Sequence, residues 1–321
     1  MEKPFNLNGV EYNCKISVGI SLLSKDDTIE DLLRQADLAL YKAKDAGRNT
    51  LRFFDPTMQE ALNLRIALES ELNLAIAQEQ FRLYYQPQVD ANGNVQSVEA
   101  LIRWQHPQRG LILPNDFIPL AEDTGLILTI GKWVMETACS QLKQWEKYPH
   151  TSALKIAINV SAKEFRQSDY VVQVEHIIKA SGINPTLLKL ELTESIVVEN
   201  MEDTIEKMNA LKQLGITFSM DDFGTGFSSL SYLAQLPLTQ LKIDKSFVNN
   251  VPGEKNDEMI TRTIITMGKG LEMNVIAEGV ETQTQREFLE INGCTTYQGY
   301  LYSHPLPIIE LEEFLKRDQD E

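Results

Sequence analysis

From residue 81 onward, short β-rich runs alternate with segments of helical spacing, and this alternation leaves few folds open. The runs are "FRLYYQPQV", "VQSVEALIRW", "LKIAINVS", "LKLELTES", "ITFSMDDF", "QLKIDKSF", "NVIAEGV" and "TYQGYLY", eight in all. Helical spacing fits between most of them, for example over 163–181, 202–214, 257–271 and 282–292. Strands joined through helices run parallel, and eight of them close into a (β/α)8 barrel. The first two runs depart from the pattern. Only "DANGN" separates them, too short for a crossover helix and suited to a hairpin. The expected fold is α/β: a modified (β/α)8 TIM-like barrel with one antiparallel strand near its start. An open doubly wound sheet is the alternative, and it lacks a phosphate fingerprint after its first strand.

Alternate residues of a barrel strand face the interior and the surrounding helices. Over 97–104, Val98, Ala100, Ile102 and Trp104 share one face, and Ser97, Glu99, Leu101 and Arg103 the other. The same split sets Ile156, Ile158 and Val160 against Ala157, Asn159 and Ser161, and Leu190 and Leu192 against Glu191 and Thr193. Ile216, Phe218 and Met220 oppose Thr217, Ser219 and Asp221, while Leu241 and Ile243 oppose Lys242 and Asp244. The apolar set must meet the helices, so the polar set points inward. Each strand then carries an inward Glu, Asn, Asp or Lys near its C-terminal end, where barrel active sites sit. Glu278 and Gln298 extend the ring.

One inward carboxylate has a bland explanation, a strand-end charge reaching solvent. Glu99, Glu191, Asp221, Asp222 and Glu278 together do not share it, because such a cluster is stable only with protons or cations. Oxygen donors with one amide and no neighbouring Cys or His select Mg²⁺ or Mn²⁺ over Zn²⁺. Two such ions bridged by a carboxylate are the usual device for cutting a phosphodiester. The pair in "SMDDFGTGFSSL" poses its own problem, since neighbouring strand residues point to opposite faces. Asp222 is expected to reach the cavity because the strand ends at Asp221 and the Gly-rich loop turns the chain.

The formal charge of −16 makes the chain a poor binder of polymeric nucleic acid, so positive charge near a phosphorylated ligand must be local. No apolar run approaches the roughly 20 residues of a membrane span, so no membrane contact is expected. Cys14, Cys139 and Cys294 form neither a disulfide framework nor a zinc pattern, which points to a reducing cytoplasm.

Residues 1–55 differ from the rest. "KISVGIS" (15–21) and "TLRFF" (50–54) read as strands flanking a helix over 28–47, with Thr28 as its N-cap and Gly47 as its C-cap. Such a piece is marginal as a core of its own and reads as the tail of a larger domain. "ISVGIS" followed by "ADLALYKAKDAGRN" is similar to the C-terminal end of GGDEF domains, the diguanylate cyclase family, although the five-residue signature of that family is missing. The expected division is a GGDEF remnant at 1–55, a linker helix at 56–80 and a catalytic domain at 81–321.

The later runs carry a second resemblance. "VEALIRW", "INVS", "LELTES", "DDFGTGFSSL", "LKIDKSF", "AEGVET" and "QGYLYS" occur in order over roughly residues 62–318 and together resemble EAL-domain phosphodiesterases. The resemblance implies metal-dependent hydrolysis of cyclic di-GMP to linear pGpG with two divalent cations. It implies metal ligands at Glu99, Asn159, Glu191 and Asp221, with Asp222 joining Asp221 at the second ion. Lys242 would orient the attacking water, and Glu278 would be a further ligand or the general base. Gln86, Leu101, Arg103, Asp244 and Gln298 would contact substrate. Glu194 would brace the loop that begins Phe223, Gly224, Thr225, Gly226, and Glu281 would support the metal site. The family also suggests a homodimer through the barrel.

Two rival readings compete with this one. "DFG" belongs to the protein-kinase signature as well, but a Gly-rich loop, a "VAIK" lysine and an "HRD" loop are missing here. Some EAL domains lose ligands and only bind cyclic di-GMP; the complete ligand set favours the enzyme over that receptor. His106, His150, His176 and His304 fall outside the constellation and read as surface or loop residues.

Overall fold

The computed structural model describes residues 5–7, 10–12, 15–24, 27–194, 196, 200–224 and 233–317. Cys14, Thr225 and Gly226 lie outside the described residues. The chain divides into two units, Met1–Leu72 and Asn73–Glu321.

In the first unit, β1 (Phe5–Leu7) and β2 (Val10–Tyr12) pair antiparallel. Strands β3 (Val18–Ile20) and β4 (Leu51–Phe53) pair in parallel, connected by helix α1 (Ile29–Asp45), which packs on both. Helix α1 starts where the sequence marks it. The Thr28 hydroxyl accepts the Asp31 N–H and the Asp31 carboxylate accepts the Thr28 N–H, a reciprocal capping box. Helix α2 (Pro56–Ala77) spans the division between the units.

The second unit opens with β5 (Phe81–Asp90), β6 (Val95–His106), β7 (Gly110–Ile112), α3 (Pro114–Thr124) and α4 (Ile127–Trp145). It continues through β8 (Lys155–Val160), α5 (Ala162–Phe165), α6 (Tyr170–Ser181), β9 (Leu188–Thr193), α7 (Met201–Gln213) and β10 (Thr217–Phe223). It ends with β11 (Gln240–Ile243), α8 (Lys245–Val248), α9 (Lys255–Gly270), β12 (Asn274–Ala277), α10 (Gln283–Ile291), β13 (Thr296–Tyr297), β14 (Leu306–Pro307) and α11 (Ile308–Arg317).

Eight strands close the barrel in the order β5-β13-β12-β11-β10-β9-β8-β6, with β6 returning to pair with β5. Strand β5 is antiparallel to both neighbours, and the others pair in parallel. The hairpin between β5 and β6 is closed by Asp90, whose carboxylate accepts the N–H groups of Asn92 and Asn94. The apolar parity faces the helices as expected. Val98, Trp104, Ile156, Leu190, Phe218, Leu241 and Ile243 are all at most 1% exposed, each such burial contributing about 1.5–3 kcal/mol.

Three expectations need correction. The helix over 163–181 breaks at 166–169 into α5 and α6, because Ser168 and Asp169 are poor helix-interior residues. The strand in "TYQGYLY" is only Thr296–Tyr297. Past it, Gly299 lies against the Val280 backbone so closely that a Cβ would sit 2.1 Å from the Val280 carbonyl oxygen, and the ladder ends. His106 is not a surface residue: it ends β6 buried beside Trp104, its Nδ1 accepting the N–H groups of Gln108 and Arg109.

Candidate active site

The inward parity of the strands converges at their C-terminal ends. Glu99 on β6, Asn159 on β8, Glu191 on β9, Asp221 on β10 and Lys242 on β11 share the interior, with Glu278 just past β12 and Gln298 just past β13. Register aligns them: Gln86 pairs with Glu99, and Asn159 with Glu191.

Lys242 is the hub. Its side chain is 1% exposed, and its amine donates to Glu191 and ion-pairs with Glu278 Oε1 at 2.6 Å, Asp221 Oδ1 at 3.1 Å and Glu99 Oε2 at 3.5 Å. Burial works against its charge, but Asp221, Glu191, Glu278 and Glu99 outweigh that and hold it well above the ordinary lysine range. Four carboxylates around one ammonium leave an excess of negative charge, and the carboxylates respond differently. Burial pushes Glu191 up to about 7, against the pull of Lys242, with Glu99 and Asp221 adding to the rise. Glu278 is likewise raised well above the ordinary range, first by burial. Burial would raise Glu99 too, but Lys242 and hydrogen bonds from Gln298 and Asn159 hold it below the ordinary value. Those bonds run from Gln298 Nε2 to Glu99 Oε2 at 2.6 Å and from Asn159 Nδ2 to Glu99 Oε1 at 2.6 Å.

Asp221 and Asp222 reach the same cavity by a device the sequence did not reveal. Strand β10 does not end at Asp221 but runs on to Phe223. Between Met220 and Phe223 it takes three steps while β11 takes two, from Leu241 to Ile243, so one residue is surplus. Asp222 absorbs the surplus with φ at +52°, in the left-handed region. This bulge corrects the expectation that a strand end frees Asp222. Burial, then the neighbouring Asp221 and Asp244, push Asp222 up to about 6.

Carboxylate oxygens of Asp221, Asp222 and Glu278 lie within 4.8 Å of one another, a spacing that suits a shared cation. Glu191 Oε1 is buried and accepts no hydrogen bond from the described residues, although a buried carboxylate oxygen ordinarily has a donor. An orphaned acceptor, oxygen-only donors and raised carboxylates fit hard divalent cations, which would drive off the bound protons.

The site opens into a cleft of about 480 Å³ lined by Gln86, Leu101, Asp222, Asp244, Glu281 and Gln298 among others. A second cavity of about 650 Å³ adjoins it, sharing Leu101, Asn115, Lys245 and Tyr300 and reaching Arg103. Arg103 is buried over the Tyr84 ring at 5.7 Å, its Nη1 donating to the Ile102 carbonyl. The Asp244 carboxylate accepts the Ser246 N–H at 3.0 Å, capping α8. The Glu281 N–H is held by Gln285 Oε1 at 2.8 Å. Gln86 Nε2 donates to the Ser303 carbonyl at 3.1 Å. Phe223 is buried, Gly224 turns at φ +100°, and both Glu194 carboxylate oxygens are buried with no hydrogen-bond donor among the described residues. Sequence reasoning missed Asn115, Lys245 and Tyr300 as cleft residues. Asn115 opens α3 and Tyr300 follows β13, so neither sits on a strand where parity speaks.

Comparisons with known proteins bear on this site. The EAL domain model matches residues 69–305, and the model of the diguanylate cyclase GGDEF domain matches residues 1–50. The chain is 41% identical over 318 residues to the cyclic di-GMP phosphodiesterase NbdA of Pseudomonas aeruginosa, covering 98% of this chain and 40% of NbdA. It is 40% identical to the bifunctional diguanylate cyclase/cyclic di-GMP phosphodiesterase MucR of the same organism, covering 97% of this chain and 46% of MucR. The chain thus spans less than half the length of these two relatives. The solved MucR phosphodiesterase in complex with c-di-GMP superposes with a TM-score of 0.74 at 42% identity, covering 76% of this chain and 99% of that one.

Proposed function

The chain belongs to the EAL domain family, and we propose that it hydrolyses cyclic di-GMP to linear pGpG at the C-terminal rim of its barrel, with two divalent cations, Mg²⁺ or Mn²⁺. The observation that carries this reading is the convergence of Glu99, Glu191, Asp221 and Glu278 on the Lys242 amine, with Asn159 bonded to Glu99. In this reading Glu99, Asn159, Glu191 and Asp221 would hold one cation, and Asp222 would join Asp221 at the second. When bound, the cations supply Lewis acidity toward the phosphate and toward water. Lys242 orients the attacking water and offsets the charge of the phosphate. Glu278, ion-paired with Lys242, takes up the water's proton or completes the ligand set. Gln86, Leu101, Arg103, Asp244 and Gln298 orient the substrate, with Arg103 the local positive charge that an acidic chain needs. Glu194 braces the loop from Phe223 through Gly224, Thr225 and Gly226, and Glu281 supports the metal site.

We assign residues 1–55 to a GGDEF remnant, 56–80 to a linker helix and 81–321 to the phosphodiesterase domain. No helix among the described residues is long and apolar enough to cross a membrane. We place the chain in the cytoplasm as a homodimer through its barrel, without a polymeric nucleic-acid partner. Sedimentation equilibrium tests the dimer, and a monomer at assay concentrations overturns it. The function itself is tested by incubating the chain with cyclic di-GMP, with and without Mg²⁺ or Mn²⁺, and separating products by chromatography. Linear pGpG is expected only with the cation. Binding without turnover at saturating cation would mark a receptor instead.

A further inference from the structure

One layer beneath the carboxylates the barrel holds a second buried ammonium. Lys189 lies two residues before Glu191 on β9, on the same inward face, and is 6% exposed. Its Nζ donates to Gln240 Oε1 at 2.7 Å and approaches Gln88 Oε1 at 3.5 Å, and both partners are neutral amides. A buried ammonium without a directly bonded carboxylate is costly, so its retention calls for a reason.

The reason lies in where the amides lead. Gln88 Nε2 donates to Gln298 Oε1 at 2.9 Å, and Gln298 Nε2 donates onward to Glu99 Oε2 at 2.6 Å and to Gln86 Oε1 at 3.0 Å. An ammonium has only donors, a carboxylate only acceptors, and an amide one of each at its two ends. The line from Lys189 through Gln88 and Gln298 to Glu99 therefore reads donor to acceptor in a single sense. Flipping either amide sets oxygen against oxygen, or N–H against N–H, in a buried place. The Ser97 hydroxyl also donates to Gln88 Oε1, at 2.5 Å, but a hydroxyl can reverse its role. Lys189 cannot, so it holds the direction from the floor of the barrel, in the same sense that the acceptor-only Glu99 holds it from the rim.

We propose that Lys189 is a positioning residue for the cation site: by orienting Gln88 and Gln298 it makes Gln298 present N–H to Glu99, which fixes that carboxylate for its ligand role. The proposal rests on the reading of Glu99 as a ligand. It places the control of a rim residue in the floor of the barrel, which no direct contact with substrate or ion would reveal.

The test uses the full chain with Lys189→Met, which keeps length and bulk but removes the donor, and Lys189→Arg, which keeps donors. Mn²⁺ binding is read by electron paramagnetic resonance, alongside cyclic di-GMP turnover and the melting temperature. Lys189→Met is expected to weaken Mn²⁺ binding by roughly 10- to 100-fold, the usual effect of losing an outer partner of a ligand, with Lys189→Arg much closer to wild type. Gln88→Leu cuts the same line one link on and should reproduce the loss, which keeps the test open if Lys189→Met does not fold. Added to Gln298→Ala, Lys189→Met should cost nothing further. Wild-type Mn²⁺ affinity in Lys189→Met or Gln88→Leu, with only a lowered melting temperature, would mark a structural role and overturn the proposal. So would losses that multiply in the double variant. A wild type that binds Mn²⁺ but leaves cyclic di-GMP intact would sink the proposed function alone; one that binds no Mn²⁺ would sink both.

Discussion

On strand β9, Leu188, Leu190 and Leu192 turn outward to the helices while Lys189, Glu191 and Thr193 turn inward, and the two sets sit in the wall on opposite terms. The leucines are fully buried, and leaving water is itself what stabilises them. Glu191 is 1% exposed, and leaving water is what destabilises it; the neighbouring amine of Lys242, and more weakly that of Lys189, offset that in part. The outer face holds the barrel closed, whereas the inner face is a strained electrostatic arrangement that the outer face must support. Stability and chemistry thus alternate residue by residue along one strand.

Four measurements test this division of labour. Lys242→Ala removes the common partner of four carboxylates, so turnover should fall by about 10³-fold or more. The metal-free protein should lose roughly 3–5 kcal/mol in urea unfolding as buried charge goes uncompensated. Full turnover in that variant would break the assignment of the inner face to chemistry. Leu190→Ala works on the other side of the wall and should cost about 2–5 kcal/mol of stability with kcat and KM nearly unchanged where the protein stays folded. A large change in kcat would show that the two faces are not separable. Glu191→Gln should leave the metal-free protein as stable as before or slightly more so, since it takes one like charge from the cluster, while divalent-ion affinity measured by calorimetry falls at least tenfold. Lost stability in that variant would mean Glu191 belongs to the scaffold.

The smallest effect concerns Glu164, a buried carboxyl away from the barrel interior. Burial, assisted by Glu122 and opposed by bonds from Ser161, pushes it up to about 7. A carboxyl raised on folding stabilises fully below its ordinary value of 4.5 and loses that contribution as pH climbs through about 7. Urea midpoints should therefore decline over that window, and Glu164→Gln should flatten the decline. An unchanged slope would assign the titration elsewhere.

Much of this was legible in the sequence because a barrel strand has a period of two. Parity alone separated Val98 and Trp104 from Glu99 and Arg103, and Leu190 from Glu191, and the short "DANGN" connection exposed the antiparallel β5. What parity could not show is where it fails. The Asp222 bulge is defined by register against β11, a strand that lies beyond the loop that follows it, and nothing in "MDD" announces a surplus residue. The brevity of β13 depends on Gly299 meeting the Val280 backbone, a contact between distant segments. Lys189 shares the polar parity of Glu191 but lies one layer below the C-terminal ends of the strands, where parity marks no function.

The surplus residue at Asp222 separates two kinds of change that sequence comparison usually treats alike. Exchanging the side chain there removes a carboxylate and leaves the backbone path in place. Deleting the residue instead restores an unbroken ladder between β10 and β11 and relieves a left-handed backbone of about 1 kcal/mol or more. The shortened barrel would be smoother and would present one fewer acidic group to an ion. Ion binding on this strand is thus a property of how many residues it has as well as of which ones, and it is held against a shorter chain that would fold more comfortably.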